Sequence, residues 1–271
     1  MTRARVQAPP PTSVLLIDIG NTRIKWARFD GRRLGRQHAA VHSGWGVEDY
    51  ARRVIGSRGR VERILVASVA GAKVDRNVTL AARRSGAPAP EFVRSRRQGG
   101  GLTIGYVDPW RLGVDRFVAA IGAYHLARGR AVVVVGVGTA MTLDLVDEKG
   151  YHRGGAIIPA PALMVDTLMK KTDGIRRRAQ GGSGGGASLF GRSTRAGVIQ
   201  GSRYAAAALI DRAVSEARAL VGGRAPLVML TGGGSPSVQP LLHSACEGVP
   251  DLVLRGLAAL CAQPLPPTWP A

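Results

Sequence analysis

Leu15-Leu16-Ile17-Asp18-Ile19-Gly20-Asn21-Thr22 and Val133-Val134-Val135-Gly136-Val137-Gly138-Thr139-Ala140 can be laid over each other without a gap. Each reads as an apolar strand, a glycine turn with polar residues, and a second β-rich strand, the two ending at Gly31 and Gly150. Repeats this short arise by chance, so the match alone is a weak signal. Its physical content is stronger. Both copies put a glycine in a tight hairpin, where backbone can approach a ligand closely and turn N–H groups favour anions. Two such hairpins facing one another across a cleft would form a clamp for phosphates.

Outward from these hairpins the chain alternates strand and helix signals. Ile24 to Phe29 completes the first hairpin, and Met141 to Val146 the second. Ile64 to Val69 reads as a buried strand, followed by a helix over Ala72 to Arg84. Ser95 to Gly105, rich in Arg and Gly, reads as a loop, and Val114 to Ala127 as an amphipathic helix. A strand is expected at Gly155 to Ile158, ended by Pro159 and Pro161, and a helix at Leu163 to Met169. Gly174 to Gly191 is dominated by Gly, Ser and Arg and is expected to be mobile. Ala196 to Val221 reads as a long Ala-rich helix with a kink point at Gly201. Leu227 to Leu230 is a strand stopped by Thr231-Gly232-Gly233-Gly234, and Ser235-Pro236 suits the start of a helix.

The composition narrows the function classes. The 271 residues are 45% hydrophobic and 21% charged, which gives ample apolar material for a core and argues against wholesale disorder. The longest apolar run, Ala131 to Val135, is far shorter than the roughly 20 residues of a membrane helix. The start, Met1 to Thr12, is Pro-rich with no apolar signal region, so it is expected to be disordered and the chain cytoplasmic. Cys246 and Cys261 lack metal-site spacing and read as buried thiols in helical segments. The five histidines form no zinc pattern. The formal charge of +20 would suit a polyanionic partner. Only Lys25, Lys73, Lys149, Lys170 and Lys171 are lysines; the other 33 basic residues are arginines, spread in short pairs and triplets with no basic tail. A general Arg-for-Lys bias explains this more simply than nucleic-acid binding does.

Four places could carry chemistry. Asp18 ends an apolar strand beside the turn, Asn21 and Thr22 offer neutral hydrogen bonds, and Lys25 offers a point charge. That set suits a magnesium–nucleotide phosphate chain, although the same residues make an ordinary hairpin turn. No G-x-x-x-x-G-K-[ST] loop occurs. In the second turn Thr139 could bond a phosphate and Asp144 could hold a water or a metal; both could equally satisfy hairpin backbone groups. Asp115, in Leu112-Gly113-Val114-Asp115-Arg116, is either a helix cap or a base that takes a proton from an attacking hydroxyl, with Arg116 on an anionic substrate group. On these residues alone capping is the simpler reading. The Thr231 glycine turn could let a flat ring such as adenine pack against backbone.

Asp18-x-Gly-Asn-Thr-x-x-Lys25, Leu112-Gly-Val-Asp-Arg116, Gly138-Thr-Ala-x-Thr-x-Asp144 and Gly154-Gly-x-Ile-x-Pro159 together resemble the type III pantothenate kinases, in order and at similar spacing. The resemblance runs from about Val14 to the Thr231 turn, and four ordered motifs make it specific. It implies an α/β fold of two related ribonuclease-H-like domains, the actin-like ATPase fold, around a nucleotide cleft. Residues 13–118 would form the first domain and 119–271 the second. It implies that Asp18, Ile19, Gly20, Asn21, Thr22, Arg23, Ile24 and Lys25 form the first phosphate loop, with Asp18 able to hold Mg2+, and that Thr139 contacts ATP. Tyr106, Gly113, Val114, Asp115 and Arg116 would line the pantothenate pocket, Asp115 as proton acceptor, and Thr194 would bind substrate beyond a variable loop. The implied reaction is ATP-dependent phosphorylation of pantothenate to 4′-phosphopantothenate, the first step to coenzyme A, by a homodimer.

The sequence departs from the family at two points. Many relatives bind a monovalent cation, K+ or NH4+, through an Asp two residues before the second turn's glycine; here Gly136 stands there. The usual Pro-Gly after the Gly-Gly-x-Ile strand is Pro159-Ala160. Two other readings stay beside the leading one: a kinase of the same superfamily acting on another small acidic alcohol, and a basic nucleic-acid-binding regulatory protein.

Overall fold

Val14 to Ile19 is buried at every position, as a strand must be when neighbours flank both its edges and layers cover both its faces. A computed structural model describes residues 13–56, 61–181, 186 and 188–261. Their contacts gather into two units. The first draws on the chain up to Gly100, on Trp110–Gly122 and on Val253 onward; the second is Gly101–Pro109 and Ala123–Leu252.

In the first unit β1 (Val14–Ile19) pairs antiparallel with β2 (Arg23–Phe29), which pairs antiparallel with β3 (His38–Val41). After the short helix α1 (Val47–Tyr50) and a π turn over Ala51–Ile55, β4 (Arg63–Ser68) runs parallel to β1. Helix α2 (Ala72–Arg84) leads to β5 (Pro90–Phe92), parallel to β4, and the two-residue β6 (Gln98–Gly99) follows. The sheet order is β3-β2-β1-β4-β5. Leu15, Ile17, Ile24, Val66, Tyr50, Val54, Val78 and Ala82 share its core. Helix α2 is cut to this job: Val78, Ala81 and Ala82 recur at helical spacing on its buried face.

The second unit opens with β7 (Leu102–Ile104); helix α3 (Val114–Ala127) begins in the first unit, and the division falls within it after Gly122. Strands β8 (Val132–Val137), β9 (Ala140–Val146) and β10 (Tyr151–Pro159) form an antiparallel meander. Helices α4 (Pro161–Lys171), α5 (Asp173–Arg178) and α6 (Thr194–Leu220) follow. Then come β11 (Leu227–Thr231), parallel to β8, the short α7 (Ser235–Val238), β12 (Glu247–Gly248) and α8 (Leu252–Cys261). The unit's sheet runs β12-β11-β8-β9-β10-β7. Its core joins Val133, Val135, Met141 and Leu143 to Ala206, Ala207 and Ile210 of α6, where small residues let the helix lie close to the sheet.

The two hairpins that opened the sequence argument are both real, and they are not the same length. Ile19 pairs Ile24 in the first, whereas Val137 pairs Met141 in the second, so the second turn is one residue tighter. In consequence Asp18 faces Lys25 across the first hairpin, while the overlaid Gly136 faces Thr142.

Several expectations need correction. Ser95–Gly105 is not all loop: β6 and β7 lie in it, and β7 is fixed by pairing with β10, a partner far along the chain that composition does not reveal. Gly174–Gly191 begins inside α5, where Asp173 at the first turn and Arg176–Arg178 at the last suit the helix dipole; residues 182–185 and 187 lie outside the described residues, as does the segment 1–12. Helix α6 is continuous through Gly201, because a single glycine lowers helix propensity without breaking the hydrogen-bond ladder. Cys261 is buried at the end of α8, but Cys246 is half-buried outside any helix. Helix α8 returns from the far end of the chain to the first unit, where Gly256 lies so close to the Val118 carbonyl of α3 that a Cβ has no room. No described helix is long and apolar enough to cross a membrane.

Candidate active site

The first turn is built by hydrogen bonds at its neck. The Gly20 N–H donates to the Arg23 carbonyl at 3.0 Å, and the absence of a side chain at Gly20 keeps that closure tight, since a Cβ would stand 3.3 Å from the same oxygen. Asn21, Thr22 and Arg23 project into solvent from the tip. Ile19 and Ile24 are fully buried in the core, so they shape the turn and do not present side chains to a ligand.

Asp18 is the exception in an otherwise apolar β1. It is buried, and burial pushes its carboxyl up from the usual 3.8 to about 6; the positive charge of Lys25 opposes the rise and the negative charge of Asp115 adds to it. Asp18, Lys25 and Asp115 are therefore brought into one electrostatic neighbourhood by elements that the sequence separates by about a hundred residues.

Asp115 is the second residue of α3. Gly113, just before the helix, supplies its first carbonyl, accepting from the Phe117 N–H at 2.9 Å, while Asp115 Oδ1 accepts from the Arg116 N–H at 2.8 Å. So Asp115 satisfies a first-turn N–H without being the cap itself, and the helix start favours its negative charge. A Cβ at Gly113 would stand 2.7 Å from Asp115 Oδ1, so a side chain there would displace that carboxylate. Arg116 is buried beside it.

The remaining candidates lie in the second unit. Thr139 is exposed in the tight turn, where its carbonyl accepts from the Ala160 N–H at 3.2 Å. Thr194 is the first residue of α6, directly after Ser193, whose side chain caps the helix by accepting from the Ala196 N–H at 3.1 Å. Tyr106 follows β7 with its ring 5.5 Å from that of His152. His152 Nε2 lies 2.8 Å from Asp144 Oδ1, both side chains fully buried, and its Nδ1 has no hydrogen-bond partner among the described residues. Asp144 thus anchors a buried histidine that backs Tyr106. The sequence reading missed His152, because only its place at a β-bulge opposite β9 turns it toward Asp144. The bulge falls between His152 and Gly154, whose φ of 120° asks for glycine. At Gly136 a Cβ would stand 2.9 Å from Thr142 Oγ1, so the Thr142 hydroxyl occupies the space where a longer side chain would begin. Among the described residues no three His, Cys, Asp or Glu cluster as a metal site.

The fold is that of the actin-like ATPases and their sugar-kinase relatives. A ROK family glucokinase from Streptomyces griseus superimposes with a TM-score of 0.50 at 14% identity over 92% of this chain and 97% of that one. A Campylobacter jejuni chain, named provisionally as a conserved Baf family transcriptional activator, reaches 0.57 at 16% identity over 92% and 97%. At these identities the likeness is one of fold. The family is decided by sequence: residues 14–216 match the model of the type III pantothenate kinases, and the chain belongs to that family, as a kinase. The type III pantothenate kinase of Nitrosococcus oceani is 36% identical over 249 residues, 90% of this chain and 92% of that protein. That of Xanthomonas campestris pv. campestris (strain B100) is 38% identical over 244 residues, covering 90% and 95%.

Proposed function

We propose that this chain transfers the γ-phosphoryl group of ATP to the primary hydroxyl of pantothenate, giving 4′-phosphopantothenate, the first step of coenzyme A synthesis. The observation that carries the reading is the match of residues 14–216 to the type III pantothenate kinases. Beside it, the charge of Asp115, at the start of α3, acts on the buried Asp18 next to the glycine turn.

A hydroxyl is a poor nucleophile, and phosphoryl transfer is mostly positioning and neutralisation of charge. Asp115 accepts the proton of the attacking hydroxyl, and Arg116 pairs with the pantothenate carboxylate, with Gly113 and Val114 forming the adjacent wall. Lys25 neutralises phosphate charge beside the turn Gly20-Asn21-Thr22, whose backbone N–H groups suit anions. Thr139 contacts ATP, and Tyr106 and Thr194 bind substrate, as the family resemblance assigns them.

Asp18 fits Mg2+: it is a hard oxygen donor in a buried place, and its raised carboxyl marks a negative charge that burial disfavours. When bound there, held by Asp18, the ion would supply positive charge that offsets the charge of the phosphates. Gly136 offers no carboxylate to a monovalent cation, so the reaction proceeds without K+ or NH4+. The chain works as a cytoplasmic homodimer; Ile157 on β10 and Leu168 on α4, 60% and 38% exposed, suit burial against a second copy.

Transfer of labelled γ-phosphate from ATP to pantothenate, with the product identified by mass, tests the reading. Labelled 4′-phosphopantothenate supports it. Label passing instead to another acidic alcohol, with none on pantothenate, overturns the substrate while leaving the kinase.

A further inference from the structure

His42, directly after β3, is buried beneath the first turn and touches it twice. Its backbone N–H donates to the Thr22 carbonyl at 3.3 Å, and its ring Nε2 lies 2.8 Å from the Gly20 carbonyl. A carbonyl oxygen only accepts, so Nε2 carries the hydrogen of this bond. In a neutral ring Nδ1 is then an acceptor, and it meets the hydroxyl of Tyr50 at 2.9 Å, which must donate. Tyr50 is itself fully buried, and Trp45 packs edge-on to both rings, at 6.4 Å from His42 and 5.3 Å from Tyr50. The chain of donors therefore runs one way, from Tyr50 through His42 to Gly20, with each step fixed by the partner behind it.

The direction matters because the Gly20 carbonyl shares a planar peptide with the Asn21 N–H. There are no cis bonds among the described residues, so the two groups point in opposite directions within that plane. Holding the carbonyl inward on a buried ring turns the Asn21 N–H outward, toward the exposed tip of the turn. We propose that His42 is a positioning residue for phosphate binding: the Tyr50–His42 relay sets the Gly20–Asn21 peptide so that its N–H faces the phosphate chain of the nucleotide. This rests on the reading of the turn as a phosphate loop and adds to it the part that orients the loop.

The test compares His42→Phe, which keeps the ring's bulk and removes both nitrogens, with His42→Gln, whose amide N–H can reach the position of Nε2. Tyr50→Phe, which removes only the relay's first donor, is the third variant. The readouts are the Kd for Mg-ATP by calorimetry, the separate KM values for ATP and pantothenate, and Tm. Losing one oriented donor to phosphate weakens binding about tenfold. So His42→Phe is expected to raise the Mg-ATP Kd and the ATP KM about tenfold, with the pantothenate KM unchanged. His42→Gln should recover most of the loss even at a lowered Tm, and Tyr50→Phe should give a smaller rise in the same direction. Equal Mg-ATP affinities for the Phe and Gln variants, a lowered Tm with unchanged affinity, or parallel loss of both KM values would each overturn the proposal. Wild-type chain that binds Mg-ATP without phosphorylating pantothenate overturns only the acceptor assignment, and the variants still score the turn. Wild-type chain that does not bind Mg-ATP overturns both.

Discussion

Asp18 and Lys25 stand directly opposite one another across the β1–β2 hairpin, and the lysine does not keep the carboxyl in its ordinary range. Burial outweighs the neighbouring cation, and Asp18 titrates at about 6. A carboxyl with a folded-state value above its usual 3.8 holds its proton more tightly when folded. Between those values the folded chain carries the extra proton, so stability falls as pH rises through that window and the penalty is complete above it. At 1.36 kcal/mol per unit this amounts to roughly 3 kcal/mol. Asp18→Asn should therefore stabilise the ligand-free chain at pH 7 by up to that amount and flatten its urea-denaturation midpoint between pH 4 and 6, while nucleotide-dependent turnover collapses. A variant with the wild-type pH slope contradicts the burial argument.

Lys25 acts to lower the Asp18 value, and it is also the cation proposed for the phosphate turn. Removing it should move two observables together. Lys25→Ala is expected to lower the stability of the ligand-free chain at pH 7, because Asp18 is left buried without its counter-charge, and to raise the ATP KM with little change in the pantothenate KM. Unchanged nucleotide affinity would show that the turn does not hold phosphate.

Asp144 and His152 form a buried pair in the second unit, and His152 backs the Tyr106 ring. Removing His152 takes a buried hydrogen-bond partner from Asp144, at a cost of about 1–3 kcal/mol. His152→Ala should lower the urea midpoint accordingly and raise the pantothenate KM through the loosened Tyr106, leaving the ATP KM near wild type. An equal rise in both would place the effect in general destabilisation.

Gly256 is where α8, the last described helix, meets α3 in the first unit, against the Val118 carbonyl. Backbone there cannot yield as a flexible side chain would. Gly256→Ala should destabilise by about 1–3 kcal/mol, read as a lowered denaturation midpoint, although alanine is the better helix former. A stabilised variant would mean that the α3–α8 approach is looser than the structure has it.

The sequence made the local signals plain. Both hairpins, α2 and α3 were readable because their apolar periods and turn residues act within a few positions. Asp18 was singled out as the polar residue ending an apolar run, and Asp115 as an acid at a helix start. What did not show was whatever depends on distant pairing. Strand β7 needs β10, His42 acquires its place from Gly20 twenty-two residues earlier, and His152 meets Asp144 only through a bulge. Nor did the overlay of the hairpins reveal that the second turn is one residue shorter, so that Gly136 faces Thr142 where Asp18 faces Lys25. Tyr106 and Thr194 are candidates by family resemblance, since no local pattern marks either.

The most direct measurement is ADP release from Mg-ATP by wild-type and Asp115→Asn chains, with and without pantothenate and with and without potassium, alongside the Mg-ATP Kd of each. The account predicts pantothenate-dependent release by the wild type that does not require potassium. Asp115→Asn should lose it by about 100-fold or more, as removal of a proton acceptor does, with Mg-ATP affinity within a few-fold of wild type. Release by the wild type that pantothenate does not stimulate, or an Asp115→Asn chain that turns over at the wild-type rate, would contradict it.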